Sequence, residues 1–311
     1  MSVLVLGDAN VDIEVRLPPT DRPATHANPD PRLFGGGSAA NTAAALARLG
    51  IECSFAGSVG DDSFGRFAVT DLEAAGVDTS TVSVATDAPT VAVIAVVQAD
   101  GDRLIYVWPP MGGAHSAIAP SDAVAAVSGR EWLHVSGICL RVSPARDALL
   151  DAMEIARGAG IPVSFDLNLR LENWGWNDGF HEVVRSAVER SDVVLGAATD
   201  EVCALTGIDD PIAAAVELAG ADRVVVARLG SHGAVAGSAN EVFIVPGFEV
   251  SMADSVGAGD AFNAGFIAAR LRGSAMGEAL RWGNAVAALT ITRPGARSSP
   301  TMADAEELLL T

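Results

Sequence analysis

The sequence predicts an α/β protein built on one doubly wound, mainly parallel sheet, and three observations carry that expectation. Short apolar runs alternate with amphipathic stretches along most of the 311 residues. The runs are continuous rather than alternating, as suits parallel strands buried on both faces. Half of the chain is apolar, enough for one large core of the size α/β folds commonly build.

In chain order, strands are expected at Val3–Leu6, Glu52–Phe55, Trp132–Val135, Val163–Phe165, Val193–Leu195 and Val224–Ala227. Between them, helical patterns span Ala39–Leu49, Phe64–Ala75, Pro144–Arg157 and Gly179–Glu189. The first three are stopped by Gly50, Gly76 and Gly158, since glycine adopts the left-handed cap without penalty. Two more helices are expected near the C-terminus, at Asp260–Leu271 and Ala275–Thr290. Two segments break the alternation. Asp12–Leu33 is rich in Pro, Asp and Thr, and Thr90–Val107 reads as two β runs around Ala99-Asp-Gly-Asp102, a hairpin signal. They form either a small β flap over a site or an ordinary edge hairpin. No repeat or long linker divides the chain, so residues 1–311 read as a single domain.

Thirty-nine acids face 20 bases, a net charge of −19, so the basic footprint of a nucleic-acid or membrane-surface binder is absent. Every one of the 20 bases is an arginine. Chemistry that needs a lysine of the chain is thereby excluded: the P-loop lysine, the protein-kinase lysine, a Schiff base. Phosphate must be met by arginine, backbone N–H groups and metal. Cys53, Cys139 and Cys203 are too far apart to suggest a disulfide framework and read as core residues of a cytoplasmic protein. The histidines show no metal-ligand spacing, and no apolar run is long enough to span a membrane.

Three segments carry chemistry. In Asp254-Ser-Val-Gly-Ala-Gly-Asp260, a glycine turn runs into a helix. The N–H groups of Gly257, Ala258 and Gly259 lack intrahelical acceptors and the helix dipole favours an anion there. Asp260 is placed to take a proton from a hydroxyl attacking a bound phosphoryl group, or is simply an aspartate capping its helix. The second, Gly35-Gly-Gly-Ser-Ala-Ala-Asn41, puts a polar amide early in an alanine-rich helix, but lacks dinucleotide-fingerprint spacing. The third, Gly7-Asp-Ala-Asn10-Val-Asp12, ends the first strand, where open α/β sheets bind ligands; it also reads as an ordinary turn.

In that order the three segments resemble the ribokinase (PfkB) family of carbohydrate and nucleoside kinases. Gly57-Ser-Val-Gly-Asp-Asp-Ser-Phe-Gly65, Asp166-Leu-Asn168-Leu-Arg170, Leu229-Gly-Ser-His-Gly233 and Thr292-Arg-Pro-Gly-Ala296 resemble further family segments. The resemblance implies a Rossmann-like, mainly parallel sheet with a small β lid from about residues 12–34 and 90–108. It implies transfer of the γ-phosphoryl group of ATP to a sugar hydroxyl. Asp260 would be the base, with Gly257, Ala258 and Gly259 as anion hole. Asn10, Asp12, Gly36, Gly37 and Asn41 would hold the sugar, with Arg170 supplying positive charge near the phosphates. Glu201, Arg228, Gly230, Gly233 and Asn284 would serve the nucleotide side, Glu201 also meeting Mg²⁺ through water. Asp254, Val256 and Gly295 would frame a monovalent-cation site, K⁺ being the candidate.

Two departures stand out. Ala198 occupies the family's Asn position ahead of Glu201, a change that typically weakens metal organisation by roughly 10- to 100-fold. Asp254-Ser-Val replaces Asp-Thr-Thr, a mild change where backbone carbonyls do most of the binding. The sugar-side segments are poor in cations, which favours an unphosphorylated acceptor. Trp108, Met111 and His115 keep a nucleoside in view as the alternative, although a hydrophobic lid contact explains them too. A sugar-binding protein without catalysis is the third reading, motivated by Ala198. A homodimer through the lid is expected, because an exposed sheet edge tends to be paired.

Overall fold

The computed structural model describes residues 2–17, 31–98, 103–171 and 175–310. The Pro-rich stretch expected before Leu33 lies mostly outside them, as does the Ala99–Asp102 turn.

Two sheets organise the described residues. In the large one, β1 (Ser2–Leu6), β4 (Glu52–Gly60), β5 (Val82–Ala85), β8 (Trp132–Ser136), β9 (Val163–Asp166), β10 (Val193–Ala197) and β11 (Val224–Arg228) are parallel, in the order β11-β10-β9-β8-β1-β4-β5. Antiparallel strands β12 (Ala234–Gly237) and β13 (Val242–Val245) extend it beyond β11. Side chains alternate across β1: Val3 and Val5 join the core on one face, Leu4 and Leu6 the core on the other, all four without solvent exposure. Burial on both faces is why these strands lack a polar/apolar alternation.

One face is covered by α1 (Ser38–Arg48) and two C-terminal helices, α7 (Ala258–Leu271) and α8 (Met276–Thr290). The other is covered by α3 (Pro120–Val127), α4 (Ala145–Gly158), α5 (Asp178–Glu189) and α6 (Pro211–Ala219). α2 (Ser63–Ala74) packs beside β4 and the small sheet, and α9 (Met302–Leu309) closes the chain against α8. Alanines at 39, 40, 43 and 44 are buried and let α1 lie close to α7. α4 runs through Gly158, and the left-handed residue that ends its turn is Gly160, two positions later than expected.

The small sheet has the order β3-β2-β6-β7, from β2 (Asn10–Arg16), β3 (Arg32–Gly36), β6 (Val91–Val97) and β7 (Arg103–Trp108). β6 and β7 pair antiparallel, as the hairpin signal requires, while β2 and β6 run parallel. These strands form a sheet of their own, entered from β1 after a short turn. Among the described residues no helix is long and apolar enough to cross a membrane.

Candidate active site

The N-termini of α1 and α7 meet beyond the carboxyl ends of β1 and β9. Gly257 starts α7 in the left-handed conformation (φ 81°), and a Cβ there would lie 2.6 Å from the Ala296 carbonyl oxygen. Only glycine fits that approach. Of the first-turn N–H groups, that of Ala258 reaches the Ser255 carbonyl at a long 3.4 Å, so the turn remains a donor-rich end.

Asp260 sits one turn into α7 and is gripped by α1. Its Oδ1 accepts from Ser38 Oγ at 2.5 Å and its Oδ2 from Asn41 Nδ2 at 2.9 Å. Burial pushes its pKa up to about 6; the Ser38 and Asn41 bonds oppose that rise, and the Asp166 and Asp8 charges add to it. α1 is capped from a distance: Asp8 accepts from Ser38 N at 2.9 Å and Ala39 N at 3.2 Å, while the N-cap residue Gly37 has no side chain to do so.

Next to them, Asn10 Nδ2 donates to Asp12 Oδ1 at 2.7 Å, both from β2. A Cβ on Gly36 would lie 2.5 Å from that oxygen, so the glycine leaves the pair room. Burial also lifts Asp12 to about 6, against the Asn10 bond and the Arg297 charge. Arg297 donates to the Gly36 carbonyl and to Asn41 Oδ1, joining this pair to Asp260 through Asn41. The structure thus brings Asn10, Asp12, Gly36, Gly37, Asn41 and Asp260 into one connected site.

Beside Asp260 lies a cavity of about 190 Å³ lined by Asp166, Asn168, Arg170, Asp200, Glu201, Arg228 and Gly259, among others. Arg170 lines it from an exposed position. Arg228 lines it too, but is no spare cation: its guanidinium meets Asp166 at 2.8 Å, Asn263 Oδ1 at 2.7 Å and the Gly259 carbonyl at 3.2 Å. Asn263 closes the network by donating to Asp166 Oδ2 at 2.9 Å. Glu201 spends one oxygen on Leu169 N and the other on Ala197 N, each at 2.7 Å, which ties the ends of β9 and β10 together. Burial, then the Asp166 charge, raises its proton affinity.

The remaining expected residues form two neighbouring groups. Gly230, Gly233 and Asn284 gather around the segment after β13: Gly230 turns β11 into β12, Gly233 lies against the Val245 carbonyl, and Asn284 Nδ2 donates to the Val245 and Pro246 carbonyls. Asn284 therefore braces this wall. Asp254 is buried, accepting from Val256 N at 3.2 Å and Gly295 N at 3.1 Å. Val256 and Gly295 meet it through N–H donors, which clamps the two loops around one carboxylate. Met111 and Trp108 are exposed and His115 half-buried.

Sequence reasoning gave no role to Asp8, Ser38, Asp166, Asn263 or Arg297. For Asp8 a signal existed, a carboxylate directly after a strand end; Arg297 has none, because its partners are distant in the chain.

The sequence profile of pfkB family carbohydrate kinases matches residues 1–302. The ATP-dependent ribose-1-phosphate kinase of Halopiger xanaduensis is 35% identical over 99% of this chain and 98% of its own. Among solved structures, the Salmonella enterica aminoimidazole riboside kinase, complexed with its riboside and an ATP analogue, superposes with a TM-score of 0.80 at 30% identity, covering 100% of both chains. An Escherichia coli protein assigned as ribokinase II, solved with ATP and Mg²⁺, does so at 0.85 and 26% identity, over 99% of each. A profile match along nearly the whole chain and relatives aligned end to end converge on one assignment: this protein belongs to the pfkB family of carbohydrate kinases, phosphotransferases with an alcohol as acceptor.

Proposed function

We propose that this chain transfers the γ-phosphoryl group of ATP to a hydroxyl of an unphosphorylated, ribose-based acceptor, with Asp260 as general base. The observation that carries the reading is the buried Asp260 carboxylate. It is held by Ser38 and Asn41 between the Asn10–Asp12 pair and the glycine turn. The acceptor oxygen attacks the γ-phosphorus, the bond to the bridging oxygen of ADP breaks, and the hydroxyl proton passes to Asp260. The N–H groups of Gly257–Gly259 face the charge that develops.

The cavity fits a nucleotide that brings a divalent cation. Asp166, Asp200, Glu201 and Asp260 set four carboxyl groups against Arg170 and Arg228, so a triphosphate arriving alone would add like charge. Mg²⁺ carried largely by phosphate and water suits this carboxylate-lined cavity. Asp200 and Glu201 would hold it, and when bound it neutralises charge on the phosphates. Asp254, clamped between two loops, supports the K⁺ reading. Three buried free cysteines fit the cytoplasm.

Two relatives are named for ribose carrying a C1 substituent, one a phosphate and one an imidazole. On the sugar side Arg16 pairs with Glu14, and Arg297 is engaged by Asp71, Gly36 and Asn41. Arg297 is committed, leaving exposed Arg16 and Arg32 as the cations of β2 and β3, a sparse set that favours the acceptor without a phosphate. The second reading, ribose 1-phosphate, rests on the Halopiger relative. The test is ADP release with ATP, Mg²⁺ and K⁺ across ribose, ribose 1-phosphate, aminoimidazole riboside, adenosine and fructose. An unphosphorylated riboside or ribose is expected on top; ribose 1-phosphate leading would install the second reading. Asp260→Asn should cost about 10²- to 10⁴-fold in turnover with any acceptor, and undiminished turnover overturns the base.

A second copy of the chain is the proposed cover for the lid. Leu104 to Trp108 of edge strand β7 are consecutive and all at least 41% exposed, so both its faces are uncovered. Sedimentation should show a dimer at micromolar concentration and a monomer for Ile105→Glu. A monomeric parent chain would refute the pairing.

A further inference from the structure

Arg297 lies in the loop after α8 and touches three parts of the site at once. Its Nε donates to Asn41 Oδ1 at 3.1 Å, its Nη2 to the Gly36 carbonyl at 3.0 Å, and its Nη1 pairs with Asp71 on α2. The side chain is 11% exposed. A primary amide accepts on one side and donates on the other. With Arg297 donating to the oxygen, the nitrogen of Asn41 is the group that faces Asp260. Turned over, the amide would set an oxygen against the carboxylate and an NH₂ against the guanidinium.

We infer that Arg297 is a positioning residue for the phosphoryl transfer: it fixes the Asn41 amide so that Asp260 is met by a donor and kept as a carboxylate, with Asp71 anchoring the guanidinium. The inference rests on the reading of Asp260 as base. Other groups act on Asp260 as well: Ser38 and Asn41 from α1, Asp8 after β1, Asp166 from β9 and Arg228 from β11, besides the charge of Arg297 itself. The test must therefore separate amide orientation from simple charge.

The titration of Asp260 is readable without any acceptor. The stability difference between a chain and its Asp260→Asn version levels off at the pH where Asp260 has lost its proton. In an Arg297→Met background that pH should rise by about half a unit or more. Arg297→Lys keeps the charge without the planar fork and should fall between the two. Asp71→Asn should shift it in the same direction, and carries the test alone should Arg297→Met fail to fold. With Asn41→Ala already present, adding Arg297→Met should move the titration by less than about half as much, because the intermediary is gone. An unmoved titration in the variants of Arg297 and Asp71, or a shift undiminished without Asn41, overturns the inference. Undiminished turnover in Asp260→Asn removes the base and the inference with it. The expected turnover loss there, beside an unmoved titration, removes the inference alone.

Discussion

At the scale of the residue, Asp260 as the proposed base sets catalysis and stability in opposition. Its pKa is pushed up to about 6 from the ordinary 3.8. Only the ionised form accepts a proton, so kcat/KM should climb as pH rises through about 6 and be flat above pH 7. The folded chain binds that proton more tightly than the unfolded chain does. The stabilisation is therefore complete below about pH 4 and is lost as pH rises to 6. Above that, the buried charge costs on the order of 3 kcal/mol relative to an aspartate in the unfolded chain. Asp260→Asn should thus be at least as stable as the parent at pH 7.5, with the advantage vanishing towards pH 4. Denaturant titrations at both pH values check this, and a variant clearly weaker at pH 7.5 would contradict it. Burial pushes Asp12 the same way, to about 6.

At the scale of the element, α1 is capped by a residue 30 positions upstream. Asp8→Ala should cost about 1–2 kcal/mol. It should also lower kcat, because Ser38 and Asn41 ride on that same turn. Thr301→Ala removes a cap of similar kind from α9, where Thr301 and Asp304 form a capping box. It should cost comparable stability and leave kcat intact; equal kcat losses would show that the cap acts only through stability. Most parallel strands were legible because full burial leaves continuous apolar runs. The strands Val82–Ala85, Ala234–Gly237 and Val242–Val245 were not: pieces so short carry no period, the first and last are less uniformly buried than β9, and Ala-Val-Ala-Gly is poor in β-branched and aromatic residues. Helices α3 and α6 announce themselves by proline in the first turn, a signal left unread. In the site, Asp260, the glycine turn, Asn10, Asp12 and Asn41, singled out by their order along the chain, lie close together in the fold. Asn263 and Arg297 were not singled out, because they act on partners 97 and 256 residues away, which no local spacing encodes.

At the scale of the whole molecule, a net charge of −19 with no lysine leaves a surface of carboxylates relieved only by arginine. Their mutual repulsion opposes compactness, and salt screens it, the Debye length shrinking from about 30 Å at 0.01 M to about 3 Å at 1 M. The melting temperature should therefore rise by several degrees across that range in NaCl, roughly a gain of 2 kcal/mol or more. A flat or falling curve would show that the charges are already locally balanced. The two sheets add a constraint of another kind. Asn10 and Asp12 belong to β2 of the small sheet, whereas Asp260 stands on a helix of the large one. On the proposed reading, the distance between the acceptor hydroxyl and Asp260 is consequently a distance between elements of two sheets, joined by Arg297 and by α2, which packs on both. On that reading, recognition and coverage belong to the same small sheet, so an enzyme of this design that changes its sugar must rebuild the roof it closes over it.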